Sequence, residues 1–256
     1  MLTPEAKSRR ASSIEEVVEI MTLLDRELPE SDGVWAFNRL YLRVTLAVRG
    51  AVTATMFADP LFLETLDVVF ANQYFDAVAG GDVDPAGVPS AWRPLFESRY
   101  QPGLHPIQFA LAGMNAHINR DLPAGIVAAC AAAGGSPDRA GARHVDFNKV
   151  NDLLAVVEAE IKVELATGLV AVVDAAGGEL DDAVAMWNVR AAREAAWTNA
   201  EVLWALRSTP ALHDRFFMRL DRFTGFAGRG LLVPLRGRIA APGHRDPGLR
   251  TTTAPE

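Results

Sequence analysis

The sequence predicts an all-α fold: a single-domain orthogonal or irregular bundle of about eight helices. Apolar residues recur at steps of three and four along most of the chain. No stretch alternates with the period of two that marks a half-buried strand. Capping residues, prolines and paired glycines bracket the periodic segments. A chain of 256 residues, half of them hydrophobic, is long enough to bury a sizeable core. The loops are too short for interdomain linkers, so residues 13–235 are expected to form the helical domain, with flexible ends at 1–12 and 236–256.

Ser13, with Glu16 three residues on, reads as a capping box that opens "IEEVVEIMTLL". The next helix lies within "ESDGVWAFNRLYLRVTLAVRGAV", with Phe37, Tyr41, Val44, Val48 and Val52 at helical spacing. Asp59-Pro60 caps "LFLETLDVVFANQYFDAVAGG", which is apolar nearly all round and suits a central helix. A short helix follows around "AWRPLFESRY", and the fifth starts at His105. Pro123 should kink or end it before "AGIVAACAAAGG". Asp146 reads as the cap of the sixth, whose stripe runs from Val150 to Val172. Leu180, Val184, Trp187, Ala191, Ala195, Thr198 and Val202 mark another, ending near Thr209-Pro210, and "PALHDRFFMRLDRFTGFAGRGLL" is the last.

Composition narrows the function. A formal net charge of −7 argues against a general nucleic-acid binder. No run of about 18 uncharged apolar residues occurs, so no membrane span is expected. The N-terminus lacks the apolar stretch of a secretory signal, and the single cysteine, Cys130, cannot form an intramolecular disulfide; both point to the cytoplasm. Cys130 sits among alanines and reads as a buried, inert thiol.

The stretch "GMNAHINRDLP", Gly113 to Pro123, is polar where its neighbours are apolar. Ile107, Leu111, Met114, Ile118 and Leu122 make its core stripe. At about 100° per residue, His117 and Asp121 fall about 40° apart, beside that stripe and within mutual reach. A carboxylate beside an imidazole fixes its tautomer and suits it to proton transfer. The pair can equally be structural, or present two metal ligands from one helix. Gly113, one turn earlier, leaves room for another backbone or a ligand. Asn115 and Asn119 are candidate substrate contacts but diverge from His117 by about 160° in projection.

Asn38, Asn72, Asn148, Asn151, Asn188, Arg190 and Arg193 also interrupt apolar helices and suggest an interhelical polar network or a polar-lined cavity. Asn38, Asn72, Arg190 and Trp187 join the candidate substrate-binding set. Arg190 or Arg193 could neutralise Asp121 or bind an anionic group. The tryptophans, with Tyr41, Phe70, Tyr74 and Phe75, read as core; if several line the site, they suit a flat, apolar substrate.

No cofactor is expected. Phosphate-loop, nucleophile-elbow, HExxH and paired CxxC motifs are absent. The alternative is zinc or iron held by His117 and Asp121 with His105 or His144, brought together by tertiary folding.

At "FANQYF", "PIQFALAGMNAHINRDLP", "DFNKVNDLL" and "MWNVRAAREAAW", across about residues 30 to 235, the chain resembles an actinobacterial family catalogued only as a domain of unknown function. That resemblance implies an all-α cytoplasmic protein of a high-GC actinobacterium and carries over no catalytic residue. The Gly113, His117, Asp121 spacing is also similar to a zinc-bearing helix of all-α phospholipase C and S1/P1-type nucleases, whose remaining ligands are missing here. Three expectations follow: a metal-free acid–base lyase, cyclase or isomerase acting on a small, largely apolar molecule; a zinc- or iron-dependent hydrolase; or a non-catalytic ligand-binding or interaction protein.

Overall fold

One long helix, apolar on nearly all sides, reaches both apolar cores of the bundle. The computed structural model describes residues 2–53, 56–155 and 188–234. In chain order, the helices are α1 (Pro4–Ser8), α2 (Ile14–Glu27), α3 (Gly33–Thr53) and α4 (Pro60–Gly81), then α5 (Arg93–Ser98) after a 3₁₀ turn at Pro85–Gly87. Next come α6 (Pro106–Ala116), a π-helical turn (His117–Asp121) and α7 (Leu122–Ala132). Helix α8 covers 142–155, followed by α9 (Val189–Leu206) and α10 (Pro210–Leu231). No strand occurs among the described residues.

Helix α4 contributes to two apolar cores. Tyr74, Phe75 and Val78, from its C-terminal half, pack with α2, α3 and the region around α5. Phe62, Leu63 and Leu66, from its N-terminal half, pack with α7, α8 and α9. The caps expected at Asp59 and Ser13 are in place. Asp59 accepts from the Phe62 N–H at 3.0 Å, with Pro60 filling the first turn. Ser13 accepts from the Glu16 N–H at 3.2 Å, while the Glu16 carboxylate turns back to the N–H and hydroxyl of Ser12, both at 2.7 Å.

Several local expectations change. The segment before Ser13 packs on the bundle: Leu2 and Ala11 are buried, and Asn72 pairs with both backbone groups of Ala11 at 2.9 Å. Asp146 caps nothing in its own helix, which has already begun at 142. It is buried and accepts from the Asp59 N–H at 2.7 Å, tying α8 to the start of α4. The stripe from Leu180 to Val202 is interrupted at Asn188, whose side chain caps α9 by accepting from the Ala191 N–H at 2.9 Å. Most of the Val150–Val172 stripe, and Trp187, lie outside the described residues.

Pro123 does not end the run of helical residues, which continues through it into α7. Proline has no N–H to give and its ring presses on the carbonyl four residues back. The chain accommodates this one turn earlier: the Leu122 N–H bonds to His117 O, five residues back, and the helix widens before resuming as α7. Such π turns are uncommon and concentrate at functional sites. Cys130 is fully buried in α7, and burial pushes its thiol up to about 11, as befits an inert side chain.

Candidate functional site

The π turn holds His117 and Asp121 in the interior, both nearly inaccessible, at 3 % and 0 % exposure. His117 Nδ1 lies 3.1 Å from Asp121 Oδ2. A carboxylate can only accept, so Nδ1 carries the hydrogen and Nε2 is left with its lone pair. Asp121 Oδ2 also accepts from Trp92 Nε1 at 2.9 Å, and Oδ1 accepts from Arg120 at 2.6 Å. Arg120 is itself placed by Asp221 at 3.5 Å and lies over the ring of Phe217, both on α10. Gln73 of α4 donates to the backbone carbonyl of Asp121 at 3.2 Å.

Aromatic rings enclose the imidazole. Phe70 stacks on it, the Tyr41 ring is 4.5 Å away at a steep angle, and Phe37, Trp92 and Tyr74 complete the surround at about 6 Å. Burial lowers the pKa of His117, and the bond to Asp121 and its charge oppose that only in part. His117 is therefore a neutral imidazole. Its Nε2 is buried and bonds to no group among the described residues.

Gly113 leaves its space to a side chain rather than to a backbone or ligand. A methyl group there would overlap the ring of Phe37, which reaches across from α3 to the edge of His117.

The remaining candidates lie elsewhere. Asn115 donates to Thr224 O at 2.9 Å and accepts from Asn119 at 3.1 Å, so the two join α6 to α10 on the face away from His117. Asn38 donates to Met21 O at 2.9 Å and accepts from the Tyr74 hydroxyl at 3.2 Å, one residue layer from the imidazole. Asn72 holds the N-terminal segment. Arg190 is exposed and pairs with Asp152 at 3.2 Å. Arg193 is buried against Asn151 and Phe147 O at 2.7 and 2.9 Å. The cation beside Asp121 is thus Arg120, not Arg190 or Arg193.

Nor do His105 and His144 join the pair. His105 caps α6 in a reciprocal box with Gln108. His144 bonds to Arg139 O at 3.1 Å, and its ring lies 4.7 Å from that of Trp197, tilted by 55°. Among the described residues, no three His, Cys, Asp or Glu side chains are grouped to hold a metal ion.

Sequence reasoning missed Trp92 and Arg120 as partners of Asp121, and missed Thr45 and Asp67, whose buried Oγ1 and Oδ2 bond to no group among the described residues. The available signal was position: Thr45 stands one turn after Tyr41, and Asp67 one turn before Phe70 within "LFLETLDVVF".

These features define an all-helical bundle with a buried His–Asp pair set in a π turn and walled by aromatic rings. The chain belongs to the Family of unknown function (DUF5995), whose model matches residues 14–234. No curated protein and no solved structure matches the chain. Among the described residues, no helix is long and apolar enough to cross a membrane.

Proposed function

We propose that this protein is a small-molecule enzyme of actinobacterial metabolism, acting in the cytoplasm as a metal-free lyase, cyclase or isomerase on a largely apolar substrate. One observation carries the reading: His117 is buried and held at Nδ1 by Asp121, with Nε2 enclosed and bonded to no group among the described residues. A buried acceptor left without a donor costs about 1–3 kcal/mol. A fold that keeps one in its centre has a use for it. His117 is the base that takes a proton from substrate through Nε2 and returns it, and Asp121 holds the ring and stabilises the imidazolium. The aromatic walls take the apolar body of the substrate.

The test incubates a metabolite extract with wild-type protein and with His117→Gln, and follows both by untargeted mass spectrometry. Consumption by the wild type that falls about 10²–10⁴-fold in a folded His117→Gln supports the reading. Equal consumption, or none by either, overturns it. A second reading, a non-catalytic protein, is favoured by Asp121, whose two oxygens already accept from His117, Trp92 and Arg120 as a structural carboxylate would. It predicts a large stability loss in His117→Gln and no turnover. The zinc or iron alternative is checked by metal analysis after chelator-free purification: about one ion per chain, lost in His117→Ala, would put it first.

A further inference from the structure

His117 Nε2 is not alone. The Tyr41 hydroxyl, Thr45 Oγ1 and Asp67 Oδ2 are also buried and bond to no group among the described residues. Tyr41 and Thr45 are one turn apart on α3; Asp67 and Phe70 are one turn apart on α4. The two helices run antiparallel, since Phe37 meets Tyr74 while Tyr41 meets Phe70. Thr45 and Asp67 therefore extend, from facing helices, the layer in which Tyr41 and Phe70 touch His117. Tyr41 ties the group together. Its ring lies 4.5 Å from the imidazole, and its hydroxyl feels the charges of both Asp67 and Asp121. The Thr45 hydroxyl is near enough to act on it too, yet the two do not meet in hydrogen-bonding geometry.

We infer that Tyr41, Thr45 and Asp67, together with His117 Nε2, form the polar end of a binding site for a neutral, oxygen-bearing small molecule: an alcohol or a ketone with a flat apolar body. This rests on the reading of His117 as the working base and names the substrate class for that base. The donors and acceptors set the class. Nε2 has a lone pair and takes a hydrogen from the ligand, whereas the Tyr41 and Thr45 hydroxyls can give one to a ligand oxygen and Asp67 can accept. The Asp121 carboxylate beside the site already engages Arg120, and Asp67 adds repulsion whenever it is ionised, so the site does not call for an anion. Burial and the nearby Glu64 push the Asp67 carboxyl up to about 7, so it enters the site protonated for much of the time near neutral pH and does not call for a cation. The stacked ring of Phe70 and the edge of Tyr41 suit a planar body.

The test uses the full chain, with Tyr41→Phe, Thr45→Val and the double variant, each of which removes an oxygen and keeps the shape. Removing an orphaned hydroxyl relieves the empty protein, so Tm should rise by about 2–4 °C in the double variant. Ligand-observed NMR with benzyl alcohol and acetophenone should show binding to wild type that weakens about tenfold in the double variant, with no binding of benzoate. A Tm that falls or stays unchanged means that a buried water or another group satisfies these hydroxyls, and overturns the inference. So does equal binding of the neutral probes by wild type and double variant, their failure to bind wild type, or a preference for benzoate or benzylammonium. The two readings fail separately. Probe binding and Tm shifts as expected, with turnover indifferent to His117→Gln, would leave the site and remove the base. Turnover that needs His117, with Tyr41 and Thr45 variants that melt lower and bind unchanged, would do the reverse.

Discussion

The imidazole of His117 lies flat against the ring of Phe70, the centroids 3.4 Å apart and the planes 7° from parallel. The stack fixes the plane of the ring, and the bond from Nδ1 to Asp121 fixes its rotation within that plane. Nε2 is therefore left one direction in which to point. Phe70→Leu keeps the second constraint and removes the first. It should cost about 1–2 kcal/mol in urea denaturation. The imidazole N–H proton, expected as a slowly exchanging NMR signal absent from His117→Gln, should broaden in Phe70→Leu.

Stability should fall as pH drops through the range where free histidine titrates. Burial lowers the pKa of His117 from 6.5, so below that value the unfolded chain binds a proton that the folded chain refuses. The loss begins near 6.5 and continues down through the lowered folded value. His105, also lowered by burial, adds a slope of the same sign. Melting temperatures compared across this range should show a shallower acid loss in His117→Gln than in wild type. Identical slopes would mean that His117 is not held neutral.

Asp67 titrates in the opposite sense. Its carboxyl is raised from 3.8 to about 7, so the folded protein holds a proton that the unfolded chain releases, and stability declines as pH rises between those values. Asp67→Asn removes the penalty of the buried charge. The variant should gain Tm over wild type at pH values above about 7 and lose that gain towards pH 4. A variant less stable than wild type at high pH would show the carboxylate to be paired.

Asp121→Asn should be among the most damaging conservative substitutions in the chain. The amide nitrogen cannot accept from Trp92 or His117, and the charge opposite Arg120 disappears. Breaking one side of such a buried group costs about 3–5 kcal/mol. His117→Gln should cost distinctly less, because Asp121 keeps its other two donors. Equal losses in denaturant titrations would contradict this ranking.

Gly113→Ala tests the contact between α6 and α3. The added methyl group overlaps the Phe37 ring, so the ring or the helix must move. Overpacking of this kind costs about 1–3 kcal/mol. Gly50→Ala on α3, where nothing lies near the added carbon, is the control and should leave Tm unchanged or slightly raised.

The helices and their caps were largely legible because caps are local: Ser13, Asp59 and Pro60 act within four residues. The pairing of His117 with Asp121 was legible for the same reason, being a matter of spacing along one helix. What surrounds the pair was not. Trp92, Tyr41 and Phe70 reach it from three other segments, and no spacing rule connects position 92 with 121. Asp146 shows the converse error: a residue with the composition of a cap serves a helix nearly ninety positions earlier in sequence, at Asp59, 2.7 Å away. Projection alone puts Asn115 and Asn119 on the face away from His117, but the partner that Asn115 meets there, Thr224, belongs to a helix a hundred residues on.

The widened turn before Pro123 also acts as a phase shift. One extra residue in the turn rotates everything after it by about 100° relative to an unbroken helix. Before the turn, α6 packs on α3 and α10 and feeds Phe109, Ala112 and Ala116 to one core. After it, α7 packs on α4 and α9 and feeds Leu122, Ile126 and Ala129 to the other. A single rod thus serves two neighbourhoods that no straight helix could face at once, and His117 and Asp121 stand at the joint. Deleting one residue from the turn would restore regular winding and rotate α7 out of phase with its partners, separating the two cores at the point where the imidazole now sits.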